Sequence, residues 1–238
     1  MIDFLDIRFD PPYRKLLDLS DGPEFPKWCA GAGLNITEAC LDRWIQDDSE
    51  TLPAVIWEGE EGNTVTCTYR ELLEKVEECA AGLRSYGLGK GDAVGIHLPM
   101  MVETVIALLA INRIGAIAVP VFSGYGVEAI ASRLNAVGAT ALFTCDGFPR
   151  RGKPFDAFSV AEEAVSHCPT LTHLFVVERL GEELGGELLP VEVVGFDELL
   201  EAGLEDPDGE FGPEPTLAED PLIILYTSGT TGKPKAGN

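Results

Sequence analysis

A ten-residue stretch of the chain has the composition of a phosphate-binding loop. It runs Tyr226-Thr-Ser-Gly-Thr-Thr-Gly-Lys-Pro-Lys235 and follows an apolar run at 222–225, which predicts a buried strand. Its glycines allow close approach of the backbone, and its hydroxyls and N–H groups can donate to phosphate oxygens. Lys233 and Lys235 add compact positive charge. The stretch therefore predicts a polyphosphate site at the end of a strand.

Two alternatives to a general phosphate loop are a Walker A loop and a flexible linker. A Walker A loop requires four residues between its first glycine and its Gly-Lys pair. Here only two residues separate Gly229 from Gly232, and Pro234 follows Lys233. A flexible surface linker is the other alternative, since Gly, Ser and Thr are common in linkers. The apolar strand in front and the two lysines favour the phosphate loop, whereas composition alone leaves the linker open.

The whole chain is strongly acidic, with 40 acidic and 17 basic residues and a net charge of −23. This balance argues against nucleic acid and anionic membranes as partners. The acidic residues are spread along the chain, which favours the acidic surface of a halophilic protein over an acidic interaction tail. The one dense basic cluster is Arg150-Arg151-Gly152-Lys153, in a predicted loop at 146–153.

Cysteine and histidine spacing predicts neither a metal site nor a redox site. The six cysteines form no C-x-x-C pair and are expected to be reduced and mostly buried. His97 lies in an apolar run and is expected in the core. The N-terminus lacks the features of a signal peptide, and no apolar run is long enough for a membrane span. A cytoplasmic location is therefore expected.

Alternating strand and helix patterns predict an α/β fold, with a mostly parallel sheet and helices on both faces. Residues 1–50 are expected to form an irregular lead-in with a helix at 35–45, and residues 51–238 a partial, incomplete α/β domain. A hairpin is predicted at 52–67. Strands are predicted at 93–98, 116–122, 140–144, 173–177, 191–194 and 222–225, and helices at 68–86, 99–114, 127–137, 158–168 and 196–204.

Residues 226–235 resemble the signature phosphate loop of the adenylate-forming enzymes, which include acyl-CoA synthetases, peptide-synthetase adenylation domains and luciferases. Other segments are similar to the AMP-forming acetyl-CoA synthetases in the same order: Trp28 with Gly31, then 33–35, 40–43, 68–72, 90–92, 98–100, 113–116 and 121–124. The resemblance covers nearly the whole chain. It implies the N-terminal portion of the large domain of such an enzyme.

The resemblance implies that a small carboxylic acid reacts with ATP and Mg²⁺ to give acyl-AMP and pyrophosphate, after which coenzyme A displaces AMP. The residues implied to hold the β- and γ-phosphates are Thr227, Ser228, Gly229, Thr230, Thr231, Gly232, Lys233 and Lys235. Arg150 and Lys153 correspond to the basic loop that contacts the nucleotide phosphates of coenzyme A. The alternative for these two residues is a solvated surface loop.

The chain also departs from the acetyl-CoA synthetase pattern. Trp44 stands where those enzymes usually have His, Ala39 stands where they usually have Asn, and residues 117–120 look more like general acyl-CoA synthetases. Acetate or another short acid is therefore the expected substrate.

The family's catalytic lysine and magnesium-binding glutamate are expected beyond residue 238, so no catalytic or metal-binding residue is assigned in this chain. We expect an inactive N-terminal fragment that self-associates through exposed core surface. The alternative is a non-catalytic protein of this family that binds or senses CoA or a nucleotide.

Overall fold

The computed structural model describes residues 2–46, 48–181, 189–205 and 211–227, and the backbone alone of 235–237. The strands are β1 (Lys15–Asp18), β2 (Lys27–Ala30), β3 (Pro53–Glu58), β4 (Thr64–Thr68), β5 (Ala93–Ile96), β6 (Ile117–Pro120), β7 (Ala141–Cys145), β8 (Gly147–Arg150), β9 (Lys153–Asp156), β10 (His173–Val177), β11 (Glu192–Gly195), β12 (Leu225–Thr227) and β13 (Lys235–Gly237). The α-helices are α1 (Ile36–Cys40), α2 (Tyr69–Ser85), α3 (Val102–Arg113), α4 (Val127–Val137), α5 (Ala157–Val165) and α6 (Phe196–Glu205).

Five parallel strands form the central sheet, in the order β11-β10-β7-β5-β6. Side chains alternate across it, as the pleat requires. On β7, Ala141 and Phe143 belong to the core beneath α2, α3 and α6, whereas Leu142 belongs to the core beneath α4 and α5. The predicted α/β fold, with a parallel sheet and helices on both faces, is confirmed.

Helix α2 begins at a capping box and packs closely against α6. Thr68 Oγ1 accepts from the Glu71 N–H, and the Glu71 carboxylate accepts from the Thr68 N–H. A Cβ on Gly82 would lie 2.1 Å from the Leu199 carbonyl oxygen, and one on Gly203 would lie 2.2 Å from the Glu78 carbonyl oxygen. Glycine at both positions therefore lets the two helix backbones approach each other.

Several predicted boundaries are wrong in detail. The lead-in contains an antiparallel hairpin, β1 with β2. The predicted helix at 35–45 is broken at Leu41, where α1 gives way to a 3-10 helix at Asp42–Ile45. Helix α3 begins at Val102 rather than at Pro99. The predicted loop at 146–153 is a hairpin, since β8 pairs with β9 in the register Arg150↔Lys153.

Side-chain hydrogen bonds hold the lead-in against the α/β core. Asn35 caps α1 and donates through Nδ2 to the carbonyls of Asn112, Arg113 and Glu214 at 3.0–3.1 Å. The guanidinium of Arg113 lies between Asp42 of the lead-in and Glu77 of α2. These contacts fix the lead-in to the end of α3.

Candidate functional site

The segment that leads into the candidate phosphate loop lies beside β6, to which an isolated bridge joins it. The prediction of a buried strand at 222–225 is wrong, since Leu222 and Leu225 are 42% and 51% exposed. The Ala118 N–H donates to the Leu222 carbonyl at 3.0 Å, and the Ile224 N–H donates to the Ala118 carbonyl at 2.9 Å. Ala118 and Ile223 form a parallel bridge. Residues 222–224 therefore lead the chain to the carboxyl edge of the sheet, where open α/β folds bind their ligands.

Strands β12 and β13 pair and bring the two ends of the candidate loop together. Their antiparallel register places Thr227 opposite Lys235. Thr227 is exposed at the end of β12, and Lys235 is described by its backbone only. The other predicted phosphate-binding residues lie outside the described residues: Ser228, Gly229, Thr230, Thr231, Gly232 and Lys233.

A buried arginine supports the strand just before the candidate loop. The guanidinium of Arg133, on α4, lies 4.3 Å from the centre of the Tyr125 ring and 5.4 Å from the centre of the Tyr226 ring. The Tyr226 hydroxyl donates to the Arg133 carbonyl at 2.7 Å. Partial burial raises the pKa of Tyr226, an effect that the nearby Arg133 charge opposes. Tyr226 is thus a neutral anchor that fixes Thr227 relative to α4.

Arg150 lies in a cluster with residues that follow β6. Its guanidinium is 5.7 Å from the centres of both the Phe122 and Phe155 rings. A Cβ on Gly124 would lie 2.5 Å from Arg150 Nη1, so the guanidinium packs directly against the backbone of Gly124. Lys153 is exposed at the other side of the hairpin turn. The cluster offers a half-buried guanidinium, an exposed ammonium and an aromatic ring that is 58% exposed.

The Arg150 cluster and the candidate phosphate loop lie at the same edge of the sheet. Phe122 comes four residues after Ala118, and Thr227 comes four residues after Ile223, its partner in the parallel bridge. Because the two segments run in the same direction, both reach the carboxyl edge together. Thr227, the described start of the candidate loop, and the segment that contacts Arg150 therefore both lie at the carboxyl edge of the sheet.

His97 is buried beneath this edge, just after β5, as predicted for a core residue. Its Nδ1 lies 3.3 Å from Thr144 Oγ1, and Nε2 has no hydrogen-bond partner among the described residues. Burial lowers the pKa of His97 to about 4, and the Ser123 backbone acts weakly in the opposite direction. His97 is thus neutral at neutral pH and lies near the backbone of Ser123, which stands between Phe122 and Gly124 in the sequence.

The sequence did not identify Phe122, Gly124, Tyr125 and Arg133 as part of this edge. The sequence of 123–126 is typical of a glycine-rich turn before a helix, and no charge pattern marks Arg133. Their contacts are with residues far away along the chain, such as Arg150 and Tyr226. The combination of glycine and aromatic residues directly after a buried strand is the one signal that was available.

No group of three or more His, Cys, Asp or Glu side chains within the described ranges is placed to hold a metal ion. No helix in the described part of the chain combines the length and apolar character needed to cross a membrane. The cysteines at 29, 67, 79, 145 and 168 are buried and Cys40 is exposed, which confirms the expectation that most of the cysteines are buried.

Comparison with known proteins places this geometry in a family. The family model described as AMP-binding enzyme matches residues 41–236. The chain belongs to the AMP-binding enzyme family. Acetyl-coenzyme A synthetase from Wolinella succinogenes is 40% identical over 227 residues, covering 94% of this chain and 34% of that protein. The same enzyme from Streptomyces coelicolor is 38% identical, covering 92% of this chain and 33% of that protein.

A solved structure agrees with the sequence relatives. Acetoacetyl-CoA synthetase from Streptomyces lividans superposes with a TM-score of 0.84 at 31% identity, covering 99% of this chain and 34% of that chain. The resemblance to AMP-forming acetyl-CoA synthetases is therefore confirmed. This member of the AMP-binding enzyme family spans about a third of the length of the relatives that it matches.

Proposed function

We propose that this chain supplies the ATP-phosphate loop and the CoA-binding basic cluster of an AMP-forming acyl-CoA synthetase. Such an enzyme activates a small carboxylic acid with ATP to acyl-AMP and transfers the acyl group to coenzyme A. The observation that carries the proposal is the meeting of two segments at the carboxyl edge of the sheet. One segment leads into residues 226–235, and the other holds Arg150 against Phe122 and Gly124.

The phosphate-binding role rests on the composition and placement of the loop. Thr227 and Lys235 face each other in the β12–β13 register, so residues 228–234 leave and return at one point. Hydroxyls, backbone N–H groups and lysines concentrated there would stabilise the charge that develops on the departing pyrophosphate. The proposed ligands are Thr227, Ser228, Gly229, Thr230, Thr231, Gly232, Lys233 and Lys235.

The CoA-binding role rests on Arg150 and Lys153, which are next to each other across a hairpin turn. Two cations on adjacent strand ends match the phosphates of a nucleotide. The exposed ring of Phe122, beneath the guanidinium, offers a surface on which a base can stack. Both features belong to the described part of this chain.

The adenylation step also needs a catalytic residue and a protein ligand for Mg²⁺. We assign both to the part of the relatives that this chain does not match. The donors described here suit phosphate oxygens, and no metal-binding group of side chains accompanies them within the described ranges. We propose that Mg²⁺ binds with the ATP phosphates and takes its protein ligand from outside this chain. Residues 51–238 would form the first part of the adenylating domain, and residues 1–50 would be its lead-in. Hydrogen bonds of Asn35 and Arg113 hold the lead-in against the domain.

A chimeric enzyme tests the proposal directly. Residues 1–238 would replace the matching third of the acetyl-coenzyme A synthetase from Wolinella succinogenes, with which they share 40% identity. Carboxylate-dependent exchange of labelled pyrophosphate into ATP would be measured with acetate, propionate and acetoacetate. We expect exchange with acetate or another of these short acids. A folded chimera that exchanges with none of them would contradict the proposal.

The same assay on the 238-residue polypeptide by itself is the informative comparison. We expect no exchange, because the chain spans only about a third of the relatives' length. A non-catalytic, CoA-binding protein is the second candidate function, and it is favoured by the placement of the whole Arg150 cluster within this chain. Calorimetric binding of coenzyme A by the polypeptide, together with a chimera that is inactive although folded, would select that candidate.

A further inference from the structure

Two hairpin turns that are distant in sequence touch each other beside the basic cluster. One is the turn between β3 and β4, and the other is the two-residue turn of Arg151 and Gly152 between β8 and β9. The Glu60 carboxylate accepts from the Arg151 N–H at 3.1 Å and from the Gly152 N–H at 3.4 Å. One side chain thus binds both free amides of the turn that separates Arg150 from Lys153.

This turn needs a partner for its amides. Arg151 has φ 54° and Gly152 has φ 73°, so both lie in the left-handed region, as in the two-residue turns that match the twist of a hairpin. Arginine adopts that conformation with strain that glycine does not have. The carboxylate of Glu60 favours the strained turn because it accepts charge-assisted hydrogen bonds that form in this geometry.

The segment that carries Glu60 is itself held in place. The Gly59 N–H donates to the Asn63 carbonyl at 2.9 Å, which closes the β3–β4 turn. Glu61, the next residue, pairs with Arg179 at 3.4 Å, and the Arg179 N–H donates to the Asp146 carboxylate at 2.8 Å. The β3–β4 turn is therefore fastened to the base of the β8–β9 hairpin as well as to its tip.

We propose that Glu60 is a positioning residue for the CoA site, holding the turn so that Arg150 and Lys153 present their charges together. This inference rests on the proposed CoA-binding role and adds a residue to it. Glu60 acts through the backbone of Arg151 and Gly152 and does not touch the ligand.

A competing role for the same side chain makes the opposite prediction. Glu60, Glu61 and Lys153 line a shared cavity of about 330 Å³. If the carboxylate acted mainly through its charge, it would repel the phosphates of coenzyme A, and its removal would strengthen binding. The turn geometry favours positioning, because the carboxylate is bound to two amides rather than to the lysine.

The experiment measures CoA binding by the 238-residue polypeptide with isothermal titration calorimetry. Glu60→Ala should weaken binding about tenfold, since the turn loses its charge-assisted acceptors. Glu60→Gln should weaken binding less than Glu60→Ala, because its single amide oxygen still accepts from one of the two turn amides, although its NH2 group cannot accept from the other. Solvent exchange of the Arg151 and Gly152 amides, measured by NMR, should accelerate for both amides in Glu60→Ala and for only one of them in Glu60→Gln.

Glu58→Ala is the matched control, since Glu58 is an exposed glutamate two residues away and its loss changes the net charge equally. It should leave binding unchanged. Tighter binding in both Glu60 variants would establish charge repulsion and overturn positioning, and unchanged binding in both would overturn it as well. Wild-type binding that Arg150→Ala does not weaken, or no wild-type binding at all, would refute the proposed CoA site itself and the inference with it.

Discussion

Arg113 and Asp42 form a two-pronged ion pair that joins the lead-in to the core. Arg113 Nη1 lies 2.9 Å from Asp42 Oδ2, and Nη2 lies 3.0 Å from Asp42 Oδ1. Nη2 also donates to Glu77 at 2.8 Å, while the arginine side chain is 1% exposed. Partial burial raises the pKa of Glu77, and the Arg113 charge opposes that increase. The buried guanidinium of Arg113 therefore forms ion pairs with two carboxylates from different parts of the chain.

Replacing Arg113 by Met should lower the free energy of unfolding by about 3 kcal/mol, the lower end of the range for breaking a buried ion pair. The lower end applies because Asp42 and Glu77 keep about a third of their surface in contact with water. Chemical denaturation measures the change. Arg70→Met is the control, because Arg70 pairs with Glu50 at the surface and its loss should cost less than about 1 kcal/mol. Equal losses for the two variants would contradict the central role of Arg113.

The elements with a strong hydrophobic period were predictable from the sequence, and those formed by distant contacts were not. Strand β10 and helices α2 and α4 were predicted within about one residue, because apolar spacing and the terminating glycines at 87 and 138 mark them. The β8–β9 hairpin was missed because Pro149 and Pro154, which face each other in it, are typical of loops.

In the candidate site too, locally encoded features were predictable and contacts between distant segments were not. The composition of residues 226–235 indicates a phosphate loop or a linker, and the family resemblance decides between them. Arg150 and Lys153 stand out as basic residues in an acidic chain, and their proposed role also comes from the resemblance. The contacts of Arg150 with Phe122 and Gly124 join segments separated along the chain, and no local pattern encodes them. The role of Glu60 is equally unpredictable from the sequence, since an acidic residue in a turn normally indicates only a solvated surface.

His97 should make stability depend on pH in the weakly acidic range. Its pKa in the folded protein is about 4, below the ordinary value of 6.5, so between these values the unfolded chain binds the proton and the folded chain does not. Stability should therefore fall as the pH decreases from about 6.5 to 4, by up to about 3 kcal/mol from this residue. The measurement is urea denaturation at several pH values.

His97→Gln removes the titration and is the variant to compare with the wild type. The difference between their free energies of unfolding should change as the pH decreases through this range. The exposed His167 provides the control, and His167→Gln should reproduce the wild-type pH dependence. A constant difference between wild type and His97→Gln would show that burial of His97 does not shift its protonation.

Salt should stabilise the fold strongly if the acidic surface is halophilic. With a net charge of −23, repulsion among carboxylates destabilises the compact state, and ions screen that repulsion. The melting temperature should increase by about 5 °C or more between 0.1 M and 2 M KCl, equivalent to roughly 2 kcal/mol. A melting temperature that does not change with KCl would contradict the halophilic interpretation.

Exposed leucines near the candidate loop should cause the polypeptide to self-associate. Leu217, Leu222 and Leu225 are 48%, 42% and 51% exposed, although they lie in or beside the segment that pairs with β6. Apolar surface grouped in this way favours association in water. Sedimentation velocity should show concentration-dependent association, and the double variant Leu222→Lys, Leu225→Lys should reduce it. Exposed Leu16, on β1, supplies a control in Leu16→Lys, which should leave association as in the wild type.

Lys235 should contribute to phosphate binding in the active chimera. It begins β13 opposite Thr227, so it stands where the loop returns to the sheet. Lys235→Ala should weaken ATP binding by about 1.5–3 kcal/mol, the range for a hydrogen bond to a charged group. Lys75→Ala is the matched control, because Lys75 is exposed on α2 and pairs with Glu78 at the surface. The ATP concentration dependence of pyrophosphate exchange measures the effect. If Lys235→Ala and Lys75→Ala gave the same ATP dependence as the parent chimera, the phosphate-binding role of Lys235 would be refuted.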